Sequence, residues 1–242
     1  MNLKIHKLLI NSSILSLPGI LSILLSLTSI PIHLSIAGVE NYGNYIIFHF
    51  VLIISSVLNL GIGKSIAVSI NNHPKKNKEI SYRGIKYTFL IIFVTLSILI
   101  IFFNLKEFTF ISKLIDSRLI SYFLFGIALT ILYSSLEGIF QGNRMFKFLS
   151  FFNFIFFSLS LSLPSLILLI NAELSLKKLI IFSMTIKFLT ISLMLLIIFL
   201  NDLVSKSNNR ILFLNLKKNA RWLTLNSILV HFYDLFDKYL VK

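Results

Sequence analysis

The chain has 242 residues, of which 56% are hydrophobic and 13% are charged. Soluble domains carry roughly 45–50% apolar and about 25% charged residues, so this composition excludes a soluble enzyme, a disordered chain and a disulfide scaffold. Lys and Arg number 23 against 9 Asp and Glu, which gives a net charge of +14, and cysteine is absent. Disulfides, thiol catalysis and cysteine-ligated metals are therefore excluded. The class that remains is an integral membrane protein.

Seven apolar segments predict membrane-spanning helices, because about 20 apolar residues cross the hydrocarbon core of a bilayer. The seventh is the weakest, since Asp234, Asp237 and Lys238 fall inside it. The predicted fold is all-α, a polytopic membrane helix bundle with a six-helix lobe over 1–221 and the start of a further lobe over 222–242. The predicted spans are 8–30, 44–63, 87–104, 119–140, 148–170, 179–200 and 222–241.

The basic residues between the spans predict the orientation. With the N-terminus inside, the inner segments hold Lys4, Lys7, Lys64, Lys75, Lys76, Lys78, Arg83, Lys86, Arg144, Lys147, Lys206, Arg210, Lys217, Lys218 and Arg221. The outer segments hold only Lys106, Lys113, Arg118, Lys177 and Lys178. The positive-inside rule then predicts a cytoplasmic N-terminus and outer loops near Asn41, Glu107 and Glu173. The basic surplus indicates topology and contact with anionic lipid headgroups, not nucleic-acid binding.

Polar residues inside apolar spans are costly, so they are the first candidates for a functional site. Lys187 is near the middle of the sixth span, and Ser183, Lys187 and Thr190 share one helix face by their i, i+4, i+7 spacing. In a functional interpretation, Lys187 lines a water-filled cavity and attracts an anionic substrate. In a structural one, its stem extends to the membrane surface or it pairs with an acid from a neighbouring helix.

Further polar residues follow one face of the second span and one face of the fourth. His49 and Asn59 belong to the second-span stripe, where a buried neutral histidine that hydrogen-bonds a neighbour is an equally good interpretation. Glu137 lies near the inner end of the fourth span, where a local interaction with Arg144 or with lipid headgroups competes with a transport role. Neither metal-ligand spacing nor a catalytic triad is visible in the sequence. We therefore predict no enzymatic activity, no metal and no cofactor.

Four segments in order resemble one family of membrane transporters. They are Ile36–Tyr45 after the first span, Asn59–Ala67 at the end of the second, Gly138–Phe146 after the fourth, and Trp222 followed by Asp237-Lys238 in the seventh. Together they resemble the polysaccharide-unit (O-antigen, Wzx-type) flippases of the MATE-like multidrug/oligosaccharidyl-lipid/polysaccharide superfamily. Lys238 stands where that family often has Arg, which puts the usual partner of this position in doubt.

The resemblance implies a function and a partner. The substrate would be an undecaprenyl-pyrophosphate-linked oligosaccharide, moved across a bacterial inner membrane during O-antigen, lipopolysaccharide or capsule synthesis. The candidate cavity residues are then Lys187, Ser183, Thr190, His49, Asn59, Glu137, Asp237 and Lys238. A buried cation would lower the cost of carrying the negative pyrophosphate through a low-dielectric layer.

Other functions compete with this one. A multidrug antiporter or a lipid II flippase of the same superfamily would have the same fold, although an antiporter favours intramembrane acids. A membrane polysaccharide polymerase or glycosyltransferase would need larger outer loops than the predicted ones. A partial chain without transport activity is also compatible with the sequence.

The chain covers about half of a typical family member. Because transporters of this kind move one bundle against another, we expect no translocation by the chain alone. A second lobe from another chain, self-association or contact with polysaccharide assembly proteins would then complete the site. A lobe on its own would leave the stripes with Lys187 and His49 facing lipid.

Overall fold

The computed structural model describes residues 2–54, 59, 61–104, 119–171 and 174–205, and all regular elements in these ranges are helical. The predicted all-α bundle is confirmed for this part of the chain. The helices are α1 (Asn2–Ile54), α2 (Ile62–Asn72), α3 (Asn77–Asn104), α4 (Ile120–Gly142), α5 (Phe146–Asn153), α6 (Ser160–Ile167) and α7 (Leu176–Leu200). A 3₁₀ turn (Pro74–Lys76) precedes α3, and a π-helix (Phe154–Leu159) joins α5 to α6.

Several predicted features lie outside the described residues. They are the seventh span over 222–241, the outer loop near Glu107, the position of Glu173, and the candidate site residues Asp237 and Lys238.

Five helical segments are long and apolar enough to cross a bilayer. They are Ser16–Leu52, Pro74–Ile101, Ile120–Gly142, Phe146–Ile167 and Leu176–Leu200. Large apolar side chains such as Phe93, Phe199 and Leu200 are exposed on their outer surfaces, at 73%, 74% and 76%. An apolar exterior around a packed interior suits a lipid environment, so the chain is a multi-pass membrane protein.

The longest helix, α1, is broken at Gly38, whose φ of 81° and ψ of 165° are not helical. Glycine adopts this backbone conformation without the steric cost that a side chain would add. The His33 ring lies 5.2 Å from the rings of Tyr42 and Tyr45, whereas residues 12 apart in a straight helix are about 18 Å apart. α1 therefore consists of two arms, 2–37 and 39–54, folded against each other at Gly38.

This fold-back differs from the loop that the sequence predicts over 31–43. Those residues are helical on both sides of Gly38, and Asn41 donates a hydrogen bond to the carbonyl of Ala37 across the break (3.0 Å). A single glycine changes the chain direction here, so no run of polar loop residues is needed. The predicted second span over 44–63 is also interrupted near its end, because Gly61 has a left-handed φ of 63° and α2 begins at Ile62.

The second arm of α1 and then α2 run parallel to α4. Phe48 meets Phe123 near the start of α4, with ring centroids 6.2 Å apart, and Gly63 meets Gly138 near its end. A Cβ atom built on Gly138 would lie 2.1 Å from the carbonyl oxygen of Gly63, so α2 and α4 pack backbone against backbone. Small residues permit this close approach between membrane helices.

The loops after α2, α4 and α7 meet at one end of the bundle. Asn77 donates a hydrogen bond to Asn143 (3.0 Å), and Lys78 pairs with Asp202. We call this the basic end, because the segments that meet there carry Lys64, Lys75, Lys76, Lys78, Arg83, Lys86, Arg144 and Lys147. In the described residues the opposite end, which we call the Gly38 end, carries the basic side chains Lys177 and Lys178. The described loops thus separate the charges as the predicted topology requires.

Candidate substrate site around Lys187

Lys187 lies in the middle of α7, eleven residues after its start at Leu176 and so about 16 Å along the helix axis. Its side chain is only 5% exposed, and Ser183 and Thr190 on the same face are 0% and 1% exposed. The polar stripe predicted from their spacing therefore faces the interior of the bundle. This position is the most expensive one for a cation in a membrane protein.

The neighbour of the Lys187 ammonium is an aromatic ring. Its Nζ atom lies 5.3 Å from the centroid of Phe156, a cation–π distance. Within the ranges that the structure describes, no carboxylate forms an ion pair with Lys187. The predicted acidic partner from a neighbouring helix is thus not found among these residues.

Phe156 belongs to the π-helix Phe154–Leu159. Short π-helical turns inside α-helices frequently occur at functional sites, because they change the direction of side chains relative to the rest of the helix. Phe156 is completely buried and stacks on Tyr133 of α4, with ring centroids 3.8 Å apart and an interplanar angle of 16°. The aromatic pair therefore separates Lys187 from the polar residues nearer the basic end.

His49, on the second arm of α1, faces the same region as Lys187. Its Nε2 atom lies 3.2 Å from the Ser183 hydroxyl, and its side chain is 5% exposed. The imidazole packs edge-on against Tyr45 (4.6 Å between centroids) and is close enough to Lys187 for their charges to interact. The structure therefore brings together three of the predicted residues, Lys187, Ser183 and His49.

Two further residues of this cluster were not predicted from the sequence. Tyr45 is fully buried and donates a hydrogen bond to the carbonyl of Leu161 (2.9 Å). His33 is fully buried and its Nδ1 atom lies 2.8 Å from the hydroxyl of Ser165. Within the described ranges, the other ring nitrogen of His33 is buried without a hydrogen-bond partner.

The sequence contained a signal for Tyr45 but not for the contact with His33. Tyr42, Tyr45 and His49 recur at i, i+3 and i+7, which places them on one face of the second arm. His33 lies in the predicted loop, where a polar side chain has no cost and therefore gives no signal. Its role became visible only with the fold-back at Gly38.

Glu137 lies elsewhere, toward the basic end. Its carboxylate interacts electrostatically with the side chain of Asn153 and with the charge of Lys64, and an ion pair between Glu137 and Arg144 is not found in the described part of the chain. Tyr133 also donates a hydrogen bond to Asn153. The stacked pair of Tyr133 and Phe156 therefore touches both groups, through the Tyr133 hydrogen bond to Asn153 and through the contact of Phe156 with Lys187.

Thr190 and Asn59 form local hydrogen bonds within the helical framework. The Thr190 hydroxyl donates to the carbonyl of Ile186 (2.7 Å). The Asn59 amide donates to the Ser134 hydroxyl (2.9 Å), and its carbonyl oxygen accepts the backbone N–H of Gly61 (2.8 Å). Gly61 has a left-handed φ of 63° and precedes α2, so Asn59 stabilises the start of that helix and is separate from the Lys187 cluster.

The burial of the cluster corrects one expectation. A lobe on its own was expected to leave Lys187 and His49 facing lipid, but helices of this same chain cover both side chains. Neither side chain lines an open, water-filled cavity in this conformation. Access for a substrate therefore requires α1 and α7 to separate around the cluster.

The described residues contain no group of three or more His, Asp or Glu side chains that would hold a metal ion. Comparison of the chain with protein-family models, curated proteins and solved structures finds no match.

Proposed function

We propose that this protein takes part in moving an anionic, lipid-linked oligosaccharide across a bacterial inner membrane. The observation that carries the proposal is Lys187, a buried cation in the middle of a membrane helix bundle that has an aromatic ring and no described carboxylate beside it. An intramembrane charge of this kind is retained where it serves an ion or a substrate. A pyrophosphate group supplies the negative charge that Lys187 lacks.

The surroundings of Lys187 support the same class of substrate. The side chain on the facing segment is Phe156, and a cation–π contact of about 0.5–2 kcal/mol is weaker than a charge-assisted hydrogen bond to phosphate oxygens. Replacing the ring by a pyrophosphate is therefore favourable for the ammonium. The four sequence segments that resemble polysaccharide-unit flippases support an oligosaccharide attached to that pyrophosphate.

The experiment is a binding measurement on the whole chain in lipid nanodiscs, with a fluorescent isoprenoid pyrophosphate-linked saccharide. A hydrogen bond to a charged group contributes about 1.5–3 kcal/mol, so Lys187→Gln should weaken binding about ten- to hundredfold. Lys187→Arg should retain part of the affinity, since the charge remains and the donor geometry changes. Lys178→Gln, an exposed position on the same helix, is the matched control and should change affinity little.

Equal affinities for the wild type and Lys187→Gln would reject Lys187 as the anion site. A probe without the pyrophosphate group identifies the chemistry that is recognised. It should bind as weakly to the wild type as the complete probe binds to Lys187→Gln.

We also propose that the basic end and the N-terminus lie in the cytoplasm. Eight basic residues of the described loops and helix ends gather at the basic end, and cytoplasmic segments carry the excess of Lys and Arg. The chain has no native cysteine, so single-cysteine labelling in intact cells is direct. A membrane-impermeant maleimide should label Glu40→Cys and leave Lys76→Cys unmodified. Labelling of Lys76→Cys from outside would reverse the orientation.

A further inference from the structure

A second polar group adjoins Lys187 on the side toward the Gly38 end. It consists of His49, Ser183, Tyr45 and His33, all of which are at most 5% exposed. Burying four polar side chains in the middle of a membrane bundle costs several kcal/mol unless they are hydrogen-bonded. The anion site needs only the ammonium of Lys187, so these residues have no part in the function proposed above.

We propose that His49 is a proton-binding site and that anion binding at Lys187 loads it with a proton. The proposal rests on the proposed anion site and adds the ion that binds together with the anion. Histidine is the side chain whose charge changes most readily near neutral pH. Chains of such groups inside membrane bundles mark proton pathways.

The coupling follows from the charges around His49. Among the described residues, the titratable neighbours of His49 are Tyr45 on its own helix and Lys187 on α7. Toward α4, His49 contacts the ring of Phe48, which packs against the apolar ring of Phe123. A proton on His49 beside an unpaired Lys187 places two positive charges close together in a low-dielectric interior. A pyrophosphate bound to Lys187 removes that repulsion, so the proton and the anion favour each other.

Reciprocity makes the coupling useful for transport. If the anion increases the affinity of His49 for a proton, the proton increases the affinity of the site for the anion by the same factor. Release of the proton would then weaken anion binding and promote its departure. No bond is made or broken in the substrate, and the imidazole only gains and loses one proton.

The remaining members of the group form a row from His49 toward the Gly38 end. The Ser183 hydroxyl hydrogen-bonds His49, and the His49 ring packs edge-on against the Tyr45 ring, with centroids 4.6 Å apart. The Tyr45 ring lies 5.2 Å from the ring of His33, and His33 lies 5.2 Å from the partly exposed Tyr42. The unpaired Nε2 atom of His33 offers the next position for a proton or a water molecule. Protons therefore have a row of polar groups between the Gly38 end and His49.

The test is a proton-uptake measurement on the whole chain in nanodiscs, in weakly buffered solution with a pH-sensitive dye. Farnesyl pyrophosphate is the probe, and its binding is measured in parallel by fluorescence competition. We expect net proton uptake that increases with the amount of bound probe. His49→Gln should bind the probe more weakly, because it lacks the coupled proton, and at saturating probe it should lose the part of the uptake that His49 contributes. His73→Gln, at an exposed histidine near the basic end, should behave as the wild type.

Equal proton uptake by the wild type and His49→Gln, with the probe bound to both, would overturn the proton site and leave the anion site standing. A wild type that does not bind the probe would reject the anion site and the proton site together. Should His49→Gln fail to fold, histidine-selective NMR of the wild type replaces it. Addition of the probe should then convert one buried histidine resonance to the charged form, and an unchanged spectrum would overturn the proposal.

Discussion

The bundle packs its helices in two different ways. One is the contact between α2 and α4, and the other is the contact of α1 with α6 and α7. The first brings backbones together at Gly63 and Gly138, where no space is left for even a methyl group. The second is formed by long polar and aromatic side chains, including a buried imidazole nitrogen without a partner in the described residues. A contact without free space resists movement, whereas separable hydrogen bonds and ring contacts allow it. We infer that the α2–α4 pair is the fixed part and that movement occurs around Lys187.

The largest expected effect in this comparison is at Gly138. Gly138→Ala should destabilise the protein by about 1–3 kcal/mol or more, since overpacking in a close contact forces the helix backbones apart. Thermal unfolding of the detergent-solubilised chain measures this. Gly43→Ala is the control, because nothing lies within 4 Å of a Cβ atom at that helical position. Equal unfolding temperatures for the two variants would contradict a rigid α2–α4 contact.

An effect of comparable size and opposite sign is expected at Lys187. An unpaired Lys near the middle of a membrane helix costs about 2.5–3.5 kcal/mol on the insertion scale, so Lys187→Met should raise the unfolding temperature while probe binding is lost. Lys178→Met, at an exposed position of α7, provides the baseline. A gain in stability with a loss of binding is typical of functional residues. A fall in stability instead would show that the Phe156 contact stabilises the fold.

The smallest effect is expected at the ion pair between Lys78 and Asp202. Their side chains are 46% and 73% exposed, and exposed pairs contribute about 0–1 kcal/mol because water and salt screen them. Lys78→Gln should therefore lower the unfolding free energy by less than about 1 kcal/mol, and 0.5 M salt should remove most of the difference. A loss of unfolding free energy as large as that of Gly138→Ala would show that the contacts at the basic end are also part of the rigid region.

The sequence predicted what hydropathy and helical spacing determine. An 18-residue apolar segment identifies a span regardless of its neighbours, which is why the helical bundle and the inward face of α7 were predicted correctly. The position of Lys187, Ser183 and Thr190 on one buried face followed from the 3.6-residue period alone. The approach of His49 to Ser183 did not follow, because it depends on which helices are adjacent.

The errors arose where one residue changes the chain direction. Gly38 alone separates the two helical arms of α1, without a run of polar loop residues. The sequence pattern therefore wrongly predicts a 13-residue loop over 31–43. That error concealed His33, whose contacts with Tyr42 and Tyr45 exist only after the fold-back. The π-helix at Phe154–Leu159 was likewise not predicted, since its composition is that of an ordinary apolar helix.

Two of the segments that resemble flippases turn out to touch each other. The second contains Gly63 and the third contains Gly138, and these glycines form the closest contact between α2 and α4. The third segment also contains Gly142, where an added Cβ atom would lie 2.8 Å from Ile70. Close packing thus explains these glycines without reference to a substrate. The proposal of an anionic substrate therefore rests on Lys187 and not on these two glycines.

The hydrogen bonds of His33 and His49 have a consequence for biosynthesis. Their partners, Ser165 and Ser183, follow 132 and 134 residues later in the chain. At about 5–20 residues per second, a ribosome needs roughly 7–27 s to reach them. During that interval both imidazoles are already in the first helical hairpin and their serine partners do not yet exist. The early membrane intermediate therefore carries two imidazole rings without their serine partners. Until α6 and α7 are inserted, the insertion machinery, water or nearby polar side chains must hydrogen-bond these rings.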